Sequence, residues 1–124
     1  MRAAAQLPSE NAACPSIFDV QPPALHGLWR AEIDGAAGAT LLLEQHATYA
    51  DSLAGEINRD GARARIAADL EDGEFAMEES EDGVSISATW IGALADGCAQ
   101  RIEGTWQPAG AREARTFRLR RLPR

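Results

Sequence analysis

The chain contains no lysine; its twelve basic residues are all arginine, set against nineteen carboxylates for a formal net charge of −7. That sign is wrong for a phosphate backbone or an anionic lipid surface, which attract a basic face. Nucleic acid is therefore not an expected partner. Aromatic residues make up 6% of the 124 positions, so the core must be built largely from small and aliphatic side chains. The only histidines are His26 and His46, and the only cysteines Cys14 and Cys98. None of them stands at a spacing that would gather the three or four ligands of a metal site. No run approaches the ~20 apolar residues of a membrane-spanning helix. Neither a glycine-rich phosphate loop nor a nucleophile elbow is present. The expectation is a non-enzymatic protein with no metal, no cofactor and no membrane span.

What is present is alternation. In the stretch from Asp82 to Gly92, Val84, Ile86, Ala88 and Trp90 fall on one face and Ser85, Ser87 and Thr89 on the other. A period of two with β-branched residues reads as a half-buried antiparallel strand. Seven further segments read the same way. They lie near 27–33 (Trp29, Ala31 and Ile33 inward), 39–46 (Leu41, Leu43), 51–57 (Leu53, Gly55, Ile57) and 62–70 (Ala64, Ile66, Ala68, Leu70). The others lie near 74–80 (Phe75, Met77), 99–107 (Ile102, Gly104, Trp106) and 114–122 (Phe117, Leu119). Asp-Gly pairs at 34–35, 60–61, 72–73, 82–83 and 96–97 separate strands and supply the positive φ of tight hairpins. Eight hairpin-linked strands predict an all-β, antiparallel up-and-down β-barrel, because closure removes exposed edges. A β-sandwich is the competing architecture. For 62–70, rich in alanine and arginine, a helix competes with the strand.

Residues 1–21, with Pro8 and Pro15, read as an irregular N-terminal leader, and 22–124 as the barrel domain. Pro22-Pro23-Ala24-Leu25-His26 predicts one tight helical turn before the first strand. Met1-Arg2 ahead of Ala3-Ala4-Ala5 reads as an added start on a mature secreted chain, since no apolar signal segment is visible. Cys14 and Cys98 read as a disulfide formed in an oxidising compartment, with two free buried thiols as the alternative. In an eight-strand meander the last strand returns beside the first. Inward parity from Phe117 and Leu119 then carries Arg121 to Trp29. The leader with Cys14 and the connection carrying Cys98 reach the same end. Leader, disulfide, Trp29 and Arg121 should converge there as a plug.

Gly27-Leu28-Trp29 opens the first strand after a turn, and Arg118, Arg120 and Arg121 close the last. This pattern resembles the calycins, the barrel group of lipocalins and avidins, and implies that a basic residue of the last strand packs across the tryptophan. The whole chain is also similar to a small secreted proteobacterial protein.

With one end plugged, a ligand would enter at the other. The inward residues near that mouth are Ile33, Leu41, Ile57, Glu79, Val84, Trp106, Arg115 and Phe117. Glu79 and Arg115 would orient the polar group of a small, largely apolar ligand. Gly55, Ala64, Ala68, Ala88 and Gly104 either leave room for it or let the barrel flatten and fill itself. The run from Asp69 to Asp82 carries eight carboxylates but lacks the alternation of a calcium loop, so it reads as a solvated acidic hairpin. Arg112, Arg115, Arg118, Arg120, Arg121 and Arg124 make the final strand basic, a counterpart for such a hairpin on a neighbouring molecule. The expected protein is periplasmic or secreted and binds a small apolar ligand in the barrel mouth. The alternative is a protein-interaction module, an exported inhibitor or envelope accessory protein, with a filled barrel.

Overall fold

Each alternating segment pairs with its successor in the computed structural model, which describes residues 14–123. The strands are β1 (Gly27–Ile33), β2 (Ala39–Gln45), β3 (Ser52–Arg59), β4 (Ala62–Glu71), β5 (Glu74–Ser80), β6 (Ala88–Leu94), β7 (Arg101–Pro108) and β8 (Arg115–Arg121). They form one closed antiparallel barrel in sequence order, with β8 returning to β1. The closing register sets Trp29 opposite Arg121 and Ile33 opposite Phe117. The segment at 62–70 is a strand, not a helix: Ala64, Ile66, Ala68 and Leu70 alternate inward with exposed neighbours. At Asp60-Gly61 and Asp72-Gly73 both residues have positive φ, and the ladders run up to Arg59↔Ala62 and Glu71↔Glu74. These are the two-residue hairpins that Asp-Gly favours.

The sixth strand differs from expectation. It starts at Ala88, and 81–87 is a loop; Val84 is 87% exposed and Ile86 48%. The cause is local. The Asp82 carboxylate accepts from the backbone N–H of Val84 and of Ser85, both at 2.8 Å, and from the Ser80 hydroxyl at 3.1 Å. Such a turn bends the chain away from the ladder and overrides β propensity. Pairing resumes after Ser87, whose N–H donates to the Glu79 carbonyl at 2.7 Å. Ala88 and Trp90 keep their expected inward parity.

The lower end is closed by the leader. Residues 1–13 and 124 lie outside the described residues, and with them the reading of an added start, the first part of the leader and Arg124. From Cys14 the chain makes two short 3-10 turns, Ile17–Asp19 and Pro22–Leu25, the second as expected. Cys14 is bonded to Cys98, with Cα atoms 4.9 Å apart. Closing a loop of this length contributes roughly 4 kcal/mol in the chain-entropy account. Gly97 permits the approach, because a Cβ there would lie 1.8 Å from the Pro15 carbonyl oxygen. The Arg121 guanidinium stacks 4.4 Å from the Trp29 ring centroid. It also donates to the carbonyls of His26 (2.9 Å), Ala99 (3.2 Å) and Ala24. Trp29 Nε1 donates to the Leu25 carbonyl at 2.9 Å. One arginine thus ties the last strand to the turn before the first and to the β6–β7 connection. No helix among the described residues is long and apolar enough to cross a membrane.

Candidate functional site

The upper interior is organised by one carboxylate. Glu79 faces inward near the end of β5 and is 2% exposed. Arg59, the last residue of β3, grips it with Nη1 to Oε1 at 2.8 Å and Nη2 to Oε2 at 2.9 Å. Oε2 also accepts from Trp90 Nε1 at 2.7 Å and Trp106 Nε1 at 3.0 Å. Four donors engage the lone-pair sites of the carboxylate. Burial by itself would raise the Glu79 pKa; the Arg59 hydrogen bonds and charge and the two indole donors outweigh it and hold the carboxyl below its ordinary range. A general base is tuned upward toward neutrality and keeps a free lone pair. Glu79 is shifted the other way, with three of its four bonds on Oε2 and one on Oε1.

Local sequence explains the assembly. Inward parity on β3 runs through Leu53 and Ile57 to Arg59. The intervening strand, β4, sets Ala62 opposite Arg59, Ala64 opposite Ile57 and Ile66 opposite Glu79. Trp90 and Trp106 are cross-strand partners, with ring centroids 6.2 Å apart in a T-shaped arrangement. Phe117 packs edge-on to Trp90 at 4.9 Å. The Arg59 guanidinium lies 5.7 Å from the Trp106 ring centroid.

Of the eight residues expected at the mouth, Leu41 and Ile57 have no solvent exposure, and Ile33, Phe117 and Glu79 are buried. Trp106 is half-buried at the rim. Arg115 is a correction. It does not face Glu79 but lies exposed on the rim, with Nη1 donating to the Asp34 carbonyl at 3.2 Å. Its cross-strand partner Trp106 reaches Glu79 instead. Gly35 leaves the guanidinium room outside, since a Cβ there would lie 2.2 Å from Arg115 Nη1. Val84, also expected inward, lines the outer surface.

Open space lies on the outside of the barrel. A depression of about 710 Å³ crosses the outer face of β2–β5 from Leu42, Glu44 and His46 to Gly83, Val84 and Ile86 of the 81–87 loop. A second, of about 290 Å³, continues past Tyr49, Ala76 and Ile91. The two share His46, Ala67 and Glu78. His46 shapes the shoulder between them: its Nδ1 accepts from the N–H groups of Thr48 (3.0 Å) and Tyr49 (3.1 Å).

No family model and no curated protein matches the chain. The fold is compatible with a calycin-like architecture through its closed eight-stranded barrel and the Trp29–Arg121 stack.

Proposed function

We propose that this is an exported, non-enzymatic interaction module whose filled barrel is a scaffold and whose outer surface recognises a protein. The carrying observation is the four-bond engagement of Glu79 by Arg59, Trp90 and Trp106 across the upper interior. A small ligand entering the mouth would have to part the ion pair and leave buried polar groups unsatisfied, a cost of about 1–3 kcal/mol per group. The Cys14–Cys98 bond supports a periplasmic or secreted setting, where disulfides persist.

Native mass spectrometry of protein purified from the periplasm of an expressing cell tests this reading. The native mass should equal the denatured mass, with no small-molecule adduct. An adduct released on denaturation would return the function to ligand binding in the barrel mouth, the competing reading.

A further inference from the structure

The outer face of β2–β5 is unlike the rest of the barrel surface. Of six large apolar side chains exposed among the described residues, four line its depressions: Tyr49, Val84, Ile86 and Ile91. The floor between them is alanine. Ala54 and Ala67 are cross-strand partners on β3 and β4, and Ala76 follows on β5. Exposed apolar side chains gathered around adjoining depressions are characteristic of a surface that meets another molecule. The lining is acidic, with Glu44, Glu56, Glu78 and Asp69 against a single arginine, Arg65, and Glu78 stands beside its cross-strand partner Ala67 where the two depressions meet. Glu56 is paired with Arg63 at 3.1 Å, while Glu44 and Glu78 have no ion-pair partner among the described residues.

Two constraints narrow the occupant. The barrel is closed, so it offers no free edge for strand addition, and side chains must do the gripping. The acidic lining and the net charge of −7 attract a cation and repel a second copy of the chain. We propose that this groove docks a segment of a partner protein in which basic and aliphatic side chains alternate. The aliphatic groups would lie on the alanine floor, and the cations would reach Glu44 and Glu78. The proposal rests on the interaction-module reading and names its face and the chemistry of its partner. A rival occupant exists on the opposite wall. Arg101, Arg120 and Arg30 are successive cross-strand partners on β7, β8 and β1, a cationic row that a second copy would present.

Fluorescence anisotropy on the intact, oxidised protein decides, with a labelled peptide of alternating arginine and leucine as probe and its glutamate–leucine analogue as control. The arginine peptide should bind and the glutamate peptide should not, and added salt should weaken binding. Ala67→Arg should raise Kd about tenfold or more, and Ile86→Ser about threefold, each of order 1 kcal/mol in binding. Both positions are exposed, so thermal melts should confirm an intact fold. Phe18→Ser, at an exposed apolar side chain outside both depressions, should leave Kd unchanged. Equal binding of the two peptides, binding of neither, or indifference to Ala67→Arg and Ile86→Ser together overturns the groove. Self-association in sedimentation that Arg120→Glu abolishes would assign the groove to a second copy and overturn the partner segment. These failures leave the adduct-free native mass, and the module reading, in place.

Discussion

The two ends of the barrel are sealed by the same pair of residue types in different ways. Below, Arg121 stacks on Trp29 and spends its donors on the carbonyls of Ala24, His26 and Ala99, with a disulfide alongside. Above, Arg59 lies beside Trp106 and spends its donors on Glu79. The lower seal includes a covalent tie. The upper seal depends on a carboxylate that takes up a proton in acid. Similar composition therefore yields one end sensitive to reductant and another sensitive to pH.

The largest separation of the two should come from reduction. Loss of the Cys14–Cys98 bond should lower unfolding stability by roughly 4 kcal/mol, read from urea melts of the oxidised protein and of Cys14→Ala/Cys98→Ala. The loss should leave the fall of melting temperature with acid unchanged if the upper seal is independent.

Next in size is Arg59→Met, expected to cost about 3 kcal/mol, the lower end for breaking a buried pair because the arginine is partly exposed. Its pH dependence sharpens the contrast. In the native protein the Glu79 pKa is depressed, so its contribution is complete above the ordinary carboxylate range near ~4.3. It is lost as pH falls through the lower folded value. In Arg59→Met, burial is no longer balanced by a cation, and acid should relieve the strain. Melting temperatures from pH 7 to 3 should fall in the native protein and fall less, or rise, in the variant. Parallel curves would sink this account of the upper seal.

The smallest effect is expected from Arg121→Met, about 2 kcal/mol from the stack and the carbonyl bonds, with the acid response unchanged. A shifted acid response would mean that the two ends communicate.

Much of this was legible from the chain. Period-two patterning and Asp-Gly turns marked the strands, because both are local signals. Parity and the closure of an even-stranded meander placed Arg121 on Trp29 and Cys14 beside Cys98. Glu79 is legible as inward, but the expectation that it and Arg115 orient a ligand misses Arg59, which holds its carboxylate. The third strand was ended at Ile57, although a two-residue turn at Asp60-Gly61 requires pairing up to Arg59, and the next inward position is that arginine. The 81–87 loop was hidden because Val84 and Ile86 alternate as a strand would, and the Asp82 side chain decides otherwise. The outer groove depends on where that loop lies across the sheet. Neither periodicity nor composition carries that information.

The closing of the barrel also has a kinetic side. Seven of the eight strand pairs join neighbours along the chain and can zip locally; only β1 and β8 join its two ends. The entropy of bringing distant segments together is concentrated in that one pairing. The bond between Cys14 and Cys98 fastens the approach to β1 to the approach to β7, the hairpin partner of β8, so an oxidised chain searches a much shorter loop for its last partner. Beyond holding the finished barrel, the bond would act as a guide for its seam, making the order of oxidation and strand closure a determinant of how fast the native state is reached.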